Sequence, residues 1–474
     1  MFGDTGTAAR AVGFDMSIPT ADLDTDGGPP MRIPLRHFLV ALGFLFVGGA
    51  GWIATLLGVK AALLPLAALH LVLAGWVCIT IMGAMTQFIP VWSGVELYSR
   101  RFATLQLWLV AIGLVGLATV LTLGELGLTP TFGVVLLAGF WCFAYNIART
   151  LWRCGSLDIT ERHFAFAVGC LVLVTSLGVL LAVDFAAPLF TSTGVSRLAV
   201  RATHATLAGF GIVLTTIIGA LYQLATMFTQ TELHGIDGAL QRFEAVGYPL
   251  GVLALAGGRV IELAWLATAG GVLISVTLFG FAVLLARRLI ETQVPWTPML
   301  SRYAVVVTAL AAWAVLAVPT WLTAPLAVDA LFGAPQTGVL LGLGVVGFVI
   351  LGTLYHIVPF IVWVDRYSDQ LGYEPVPMID DLYDGRLAAI DFWLVVAGTT
   401  AVVAGNAFGI EPMLVAGGGV LVAGVVVFVS NMLLVLFRHS PDSLSIILLG
   451  RRLRPSATPT SEGTPRGEGS TRDE

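Results

Sequence analysis

Charge is scarce in this chain, since Asp, Glu, Lys and Arg make up only 11% of the 474 residues and the net charge is −5. A soluble protein of this length carries far more charge on its surface. The sequence also lacks the clustered Lys and Arg of a nucleic-acid-binding surface, so nucleic acid is not an expected partner. Apolar residues fill 57% of the chain instead. This composition is typical of a helical protein that crosses the lipid bilayer many times.

Cysteine is rare as well, with four residues in the chain. They are Cys78, Cys142, Cys154 and Cys170, and they form no Cys-x-x-Cys pair or other spacing of a metal site. Cys78, Cys142 and Cys170 lie in apolar segments, where a thiol packs as a small apolar side chain. We therefore assign the cysteines no part in a metal site.

The two ends of the chain are polar. Residues 1–35 lack the apolar core of a signal peptide, which favours a polar cytoplasmic N-terminal segment. Residues 451–474 begin with Arg-Arg-Leu-Arg and continue with Ser, Thr, Pro, Gly and Glu, a composition typical of a disordered cytoplasmic tail. Between them, residues 36–450 form the predicted transmembrane domain.

Twelve apolar segments are long enough to span a bilayer core, which is about 30 Å thick and takes about 20 helical residues. The chain is therefore predicted to be an all-α membrane protein with twelve transmembrane helices. The seventh segment is the shortest. The segments are 37–58, 61–91, 104–126, 128–151, 163–186, 200–229, 243–258, 261–286, 303–324, 330–363, 388–408 and 411–437.

Arginine is concentrated in the loops on one side of these segments, beginning with Arg32, Arg36, Arg100 and Arg101. The loops on the other side hold few basic residues, namely Lys60, Arg197, Arg201 and Arg259. Positively charged loops face the cytoplasm. Both termini are therefore expected in the cytoplasm, and the protein is expected in the cytoplasmic membrane.

The predicted helices fall into three blocks of four, with bounds 36–153, 162–288 and 302–438. Each block opens on the cytoplasmic side with related residues. The openings read Arg36-His37-Phe38, Arg162-His163-Phe164 and Arg302-Tyr303-Ala304. Repetition of this kind indicates a repeated architecture. We place His37 and His163 at the cytoplasmic rim of the membrane, as interfacial anchors.

Two acidic residues lie near the predicted starts of helices. Glu244 opens the seventh helix next to Arg242 and is placed at the membrane rim. Asp391 belongs to an acidic stretch, residues 365–391, which is interpreted as a solvated cytoplasmic loop. The stretch does not have the spacing of a calcium-binding EF-hand loop.

The long second helix of each block carries a related pattern of His, Gly and Gln. A histidine in lipid is costly to solvate, so an embedded imidazole usually has a partner such as a metal, a haem iron or a proton path. The histidines are therefore the best lead to function. The three patterns are His70-x₄-Gly75 … Gly83-x₃-Gln87-x₂-Pro90, His204-x₄-Gly209 … Gly219-x₂-Tyr222-Gln223 and Gly352-x₂-Tyr355-His356-x₂-Pro359.

The stretch from His70 to Gly94 resembles the helix motif of the NnrS family, His-x₄-Gly … Gly … Pro-x-Trp-[Thr/Ser]-Gly, with matching spacing. The opening Arg36-His37-Phe38-Leu39 and the pattern His204-Ala205-x₃-Gly209 are similar to that family as well. One departure is Leu71, where the family pattern has an acidic residue. Members of the family are twelve-helix membrane proteins that bind haem and copper and accompany nitric-oxide metabolism.

Three arcs of four helices also resemble subunit I of the haem–copper oxidases. Those enzymes carry a His-His pair on helix 7 and a His-x-His motif on helix 10. Here the seventh segment contains no histidine, and Leu354 stands two residues before His356. The three-histidine copper site of the oxidases cannot be assembled from these residues. Oxygen reduction is therefore not expected, although other oxidoreductase activity stays open.

The resemblance implies a haem cofactor, with copper as a second candidate. We expect His70 to bind the haem iron and His204 to be either the opposite axial ligand or the ligand of a separate metal. His356 is a further candidate metal ligand. It is placed near the inner face, at the level of Gln87 and roughly 25 Å from His70 along the helix axis. An ordinary hydrogen-bonded histidine is the alternative there.

Four further residues are candidates for contact with a haem. Gly75 and Gly209 would admit a flat macrocycle, or would only allow helices to pack closely. Arg197 and Arg201 precede His204 on the outer side, where they would pair with haem propionates or simply cap the membrane interface.

Three functions stay open on this sequence. The first is a haem-binding membrane protein of the nitric-oxide response or of electron transfer. Its partners would be a small diatomic gas and an electron donor or respiratory subunits. The second is a transporter or channel whose histidines line a proton or metal path. The third is a non-catalytic subunit of a respiratory complex.

Overall fold

The structure is a computed structural model, and it describes residues 30–449. Over this range the chain is helical and contains no β-strand, which confirms the predicted all-α class. The predicted N-terminal segment lies outside the described residues up to position 29, and the predicted cytoplasmic tail lies wholly outside them.

Twelve long helices make up most of residues 30–449. Eleven of them are long and apolar enough to cross a membrane, so a multi-pass membrane protein is confirmed. Helix α7 is not among the eleven. In chain order the helices are α1 (Arg32–Leu56), α2 (Leu64–Ser93), α3 (Arg100–Leu123), α4 (Leu126–Leu151), α5 (Ile159–Ala186), α6 (Arg197–Thr229), α7 (Asp237–Val260), α8 (Ala264–Ile290), α9 (Pro298–Thr323), α10 (Pro335–Gln370), α11 (Gly385–Phe408) and α12 (Glu411–His439).

Helix α7 differs from the predicted segment. The sequence predicted residues 243–258, whereas the helix contains 24 residues and begins at Asp237. Its charged residues make it too polar to be recognised as a membrane span by composition. Three of these side chains, those of Asp237, Glu244 and Arg259, are nevertheless buried in the protein. The prediction of twelve spans is therefore confirmed for eleven helices only.

Local sequence signals fix where helices begin. Before α3, the hydroxyl of Ser99 accepts a hydrogen bond from the backbone N–H of Phe102, with 3.2 Å between the two heavy atoms. Before α5, Asp158 and Glu161 form a capping box, in which each side chain accepts from the backbone N–H of the other residue. These caps satisfy N–H groups that the first turn of a helix leaves unpaired.

Three helices contain an eight-residue stretch of π-helix, which is wider than an α-helix because its hydrogen bonds run from i to i+5. The stretches are Leu71–Cys78 in α2, Leu207–Leu214 in α6 and Leu340–Gly347 in α10. π-Helices are rare and are frequently found at functional sites. They lie in the same three helices that carry the His, Gly and Gln pattern.

Glycine allows close packing between consecutive helices at three corresponding places. In each pair, a glycine of the first helix faces the backbone of the second. A Cβ atom added to the glycine would lie 2.5 to 3.1 Å from a backbone N atom of the neighbour. The spacing from one block to the next is the same for both members of the pair, so the packing recurs in constant register. The pairs are Gly113 with Leu136 (α3 and α4), Gly251 with Ile274 (α7 and α8) and Gly398 with Leu421 (α11 and α12).

We expect Gly398→Leu to destabilise the protein by about 1–3 kcal/mol, because the new side chain is forced against the backbone of α12. The measurement is thermal or denaturant unfolding of the purified protein in detergent. Gly419→Leu is the matched control, since nothing lies within 4 Å of a Cβ atom built there. Equal stability of the two variants would contradict the packing seen between α11 and α12.

Candidate functional site

His70 lies in α2, directly before the first π-helical stretch. Its Nδ1 atom is 2.8 Å from the carbonyl oxygen of Leu66, one turn earlier in the helix. A carbonyl oxygen only accepts hydrogen bonds, so Nδ1 carries the proton in this arrangement. In a neutral ring, the Nε2 atom then keeps its lone pair and is the atom that can bind a metal.

His204 lies in α6, and helix α5 holds its ring in place. Its Nδ1 atom donates to the carbonyl oxygen of Val174 at 2.9 Å. The ring also packs over Gly178, where an added Cβ atom would lie 3.1 Å from the imidazole Cε1 atom. The same tautomer follows as for His70. Both rings are only partly buried, and they lie close enough for their charges to interact.

The two histidines have the donor set of a haem with two axial imidazoles. Metal-binding histidines usually donate their second ring N–H to a carbonyl or carboxylate, which fixes the ring and its tautomer. His70 and His204 both do so, and no hydrogen bond to either Nε2 atom occurs within residues 30–449. In the same range, no three His, Cys, Asp or Glu side chains are grouped so that they could hold a metal ion.

The two candidate glycines face protein side chains. A Cβ atom built on Gly75 would lie 2.7 Å from Phe44 and 2.9 Å from Leu114. Gly209 faces the ring of Phe332. These contacts support close packing at both glycines, against the helices α1 and α3 at Gly75 and against the segment before α10 at Gly209.

The two candidate arginines lie at the start of α6, on the same helix as His204. The Nε atom of Arg197 donates to the Asp184 carboxylate at 2.6 Å, and its guanidinium lies 4.6 Å from the centre of the Phe185 ring. Arg201 is exposed, and its Nη2 atom lies 3.4 Å from the carbonyl oxygen of Val328. Arg201 is therefore more available to an anionic group than Arg197.

His356 lies apart from the two other candidate ligands. Its ring centre is 4.3 Å from that of Phe228 and 6.0 Å from that of Phe360. It forms no metal-binding group with other His, Cys, Asp or Glu side chains of the described chain. Within the described chain, His356 therefore lies among aromatic side chains and lacks the backbone carbonyl contact that orients His70 and His204.

The interfacial-anchor role expected of His37 and His163 is wrong, because both side chains are buried in the protein. Only 1% of His37 and 3% of His163 is exposed. In both rings Nδ1 donates to the carbonyl oxygen four residues earlier, that of Ile33 at 2.8 Å and that of Ile159 at 2.7 Å. Each imidazole is thus held inside the protein by its own helix.

Glu244, which was expected at the membrane rim, is the buried partner of His163. Its Oε1 atom is 3.1 Å from His163 Nε2, and its Oε2 atom accepts from the Tyr222 hydroxyl at 2.8 Å. Both ring nitrogens of His163 therefore face acceptors, one a carbonyl and one a carboxyl oxygen. This arrangement requires a proton beyond those of a neutral imidazole and a carboxylate, and His163 and Glu244 share it.

Asp391 is buried in α11 rather than solvated in a loop, which corrects a second expectation. It forms an ion pair with Arg302 and accepts a hydrogen bond from the Tyr355 hydroxyl. The Arg302 guanidinium also lies 4.4 Å from the centre of the Tyr355 ring. Beside this cluster, burial raises the pKa of Tyr383, so its hydroxyl stays protonated and donates to Asp380 at 3.0 Å.

The two buried pairs occupy corresponding places in the chain. Each joins the first helix of a block to its third helix, and each is completed by a tyrosine of the second helix. The basic residue of each pair packs against a glycine of the second helix, and His37 packs against Gly83 in the same way. Arg302 therefore occupies the position that His37 and His163 occupy in the other blocks. Tyr303, which the alignment of the three openings matched to these histidines, lies one residue beyond that position. The contacts are Gly83 with His37, Gly219 with His163 and Gly352 with Arg302.

The first block has polar residues at the corresponding positions, but they carry no charge and, within residues 30–449, form no such pair. Gln106 stands where the spacing of the other blocks puts Glu244 and Asp391, and Thr86 stands where they have tyrosine. Gln106 is fully buried. Within the described chain, neither its amide atoms nor His37 Nε2 has a hydrogen-bond partner. The sequence analysis did not identify the positions of Gln106, Glu244 and Asp391 as corresponding. A charged or amide residue at constant spacing inside apolar helices could have revealed them.

Arg259 is buried at the end of α7, although the sequence placed it in an outer loop. Its guanidinium donates to the Thr206 hydroxyl at 2.6 Å and to three backbone carbonyl oxygens. Those oxygens belong to Pro325, Ala330 and Leu331. Arg259 therefore pins the segment between α9 and α10 to the helix bundle.

Comparison with protein-family models and with curated proteins finds no match to this chain.

We expect Asp391→Asn to lower the free energy of unfolding by about 3–5 kcal/mol, because it leaves the Arg302 charge buried without a counter-ion. Asp184→Asn is the matched control, since it removes the carboxylate of a partly exposed pair with Arg197 and should have a much smaller effect. Denaturant unfolding in detergent measures both. Equal losses for the two variants would show that the buried pair has no special weight.

Proposed function

We propose that the protein is an integral membrane haem-binding protein, with His70 and His204 as the axial ligands of the iron. The observation that carries this proposal is the shared geometry of the two rings. Each donates Nδ1–H to a backbone carbonyl oxygen and leaves Nε2 without a protein partner, and the two rings lie within electrostatic range. Iron is a metal that imidazole suits well.

The proposal includes a twelve-helix architecture of three pseudo-symmetric blocks, similar to subunit I of the haem–copper oxidases. Helix α7 would be the twelfth span, since its 24 residues reach about 36 Å at 1.5 Å per residue. Burial of Asp237, Glu244 and Arg259 supports this, because these charges need not meet lipid. The recurring π-helical stretches and glycine contacts support the three blocks. Both termini would lie in the cytoplasm.

A haem with two imidazole ligands supplies reversible one-electron transfer. The chain would contribute orientation: the carbonyl oxygens of Leu66 and Val174 hold the two rings and keep Nε2 deprotonated. Arg201, and Arg197 beside it, would offer positive charge to the propionates. This arrangement favours electron transfer, with a quinol, protein or respiratory subunit as donor, and the nitric-oxide response is the setting that the NnrS resemblance suggests. The proposal does not include copper, because both histidines of the pair would be used by the haem iron.

The test is the absorption spectrum of protein purified from haem-replete cells, with and without dithionite. We expect a Soret band and a low-spin reduced spectrum in the wild type. His70→Ala and His204→Ala should each lose the low-spin spectrum, because one axial ligand is gone. Added imidazole should restore it.

His356→Ala is the control, since that ring lies among Phe228 and Phe360 and should leave the spectrum unchanged. A colourless wild type, or a low-spin spectrum that survives the loss of His70, would overturn the proposal.

A proton path is the second candidate function, and the shared proton of His163 and Glu244 favours it. Buried ionisable groups within membrane helices commonly mark proton relays. In proteoliposomes under a pH gradient, the wild type should then conduct protons and Glu244→Gln should not. Glu411→Gln, at the exposed start of α12, should behave as the wild type. Wild-type flux no greater than that of empty liposomes would remove this candidate.

A further inference from the structure

A cavity of about 70 Å³ lies where α2, α6 and α10 meet. Phe38 and Phe164, from the first helices of two blocks, also line it. It lies separate from the histidine pair, since its lining begins at Thr80, ten residues after His70, or roughly 15 Å along α2. The proposed haem ligation does not use it.

The cavity exists because all three helices place a small side chain at the same level. Ala84, Ala220 and Thr353 hold corresponding positions, and all three keep some exposed surface although they lie inside the bundle. Larger side chains surround them on both sides. On one side lie Ile81, Ile217 and Ile350, and on the other Phe88, Leu224 and Ile357.

The π-helical stretches end beside this cavity. They finish at Cys78, Leu214 and Gly347, each two residues before the first lining residue of its helix. Those first lining residues are Thr80, Thr216 and Val349. A π-helical stretch changes the direction in which the following residues point, so these stretches help to turn the three small residues toward one another. Such stretches are also frequent beside functional sites.

The lining offers almost nothing to water. The Thr80 hydroxyl donates to the carbonyl oxygen of Trp76 at 2.7 Å, and the Thr353 hydroxyl bonds to that of Tyr303 at 2.8 Å. Among the described lining residues, Thr216 alone has a hydroxyl without a partner. A buried water molecule needs two to four polar partners, whereas apolar cavities stay dry and bind apolar ligands. The cavity is therefore suited to an uncharged ligand that forms no hydrogen bonds.

The volume limits the ligand further. A water molecule needs about 10–15 Å³ of such volume, and an apolar cavity of about 150 Å³ accepts benzene or xenon. At about half of the larger value, the cavity is too small for an aromatic ring. A diatomic gas or a noble-gas atom fits this range. Such molecules dissolve in lipid and can reach the cavity between the helices.

We propose that this cavity is a binding site for a small apolar gas molecule, a diatomic gas in the cell. Its place in a gas-handling protein rests on the proposed function, but the binding itself requires only the cavity.

Xenon is the probe, measured by ¹²⁹Xe NMR of the full-length protein in detergent. The wild type should show a saturable xenon shift beyond that of detergent alone. Ala220→Leu and Ala84→Leu should abolish it, because leucine fills the space. Ala148→Leu, which places the same side chain on the exposed surface of α4, should retain it. Thr216→Val should also retain it, because valine keeps the shape and removes only the hydroxyl.

Circular dichroism and thermal unfolding of every variant establish that it is folded. If the leucine variants do not fold, Ala84→Val and Ala220→Val provide milder filling and should weaken the shift. The measurement is repeated in His70→Ala, where xenon should still bind, so failure of the haem proposal and failure of this one are distinguishable. A wild type without saturable binding, or folded filled variants that bind xenon as the wild type does, would overturn the proposal.

Discussion

Lipid offers no hydrogen-bond partner, and this constraint explains where the paired polar side chains of the bundle lie. A polar group within the membrane helices is costly unless the protein supplies its partner. His163 therefore meets Glu244, Arg302 meets Asp391, and Arg259 meets a hydroxyl and three carbonyl oxygens. Even His70 and His204 have one ring nitrogen satisfied by a backbone carbonyl. Once Nδ1 is committed in this way, Nε2 is the atom left for chemistry.

The contact between the first and third helix of each block contains a different pair of polar residues in each of the three blocks. Arg302 and Asp391 form a pair of full charges, and His163 and Glu244 form a pair that shares a proton. His37 and Gln106 carry no charge of either kind when the ring is neutral, and they are left without partners among the described residues. The same packing between first and third helices therefore tolerates very different chemistry.

The sequence predicted the helices well because lipid thickness sets the length of each apolar segment. It failed where an acidic residue was interpreted without its partner. Glu244 was placed at the membrane rim and Asp391 in a solvated loop, but their partners lie 81 and 89 positions away in the chain, and pairing over that distance leaves no local signal. His70 and His204 could be selected as candidates from the sequence, since imidazole in an apolar helix is itself unusual. The orientation of the His204 ring could not be predicted, because it depends on the Val174 carbonyl of another helix. The π-helical stretches were not predictable either, since their apolar composition is that of the α-helix around them.

The shared position of those stretches bears on the history of the chain. A π-helical turn commonly arises when one residue is inserted into an α-helix and the helix widens locally instead of ending. Here α2, α6 and α10 carry such a stretch of the same length, eight residues, at corresponding places. If the three blocks descend from one ancestral unit, a single insertion before the duplications accounts for all three, whereas later origin needs three separate events. The π-helical stretch would then be older than the differences among the blocks at the histidine, glutamate and arginine positions. Those residues would have changed in a helix that already contained the wider turn.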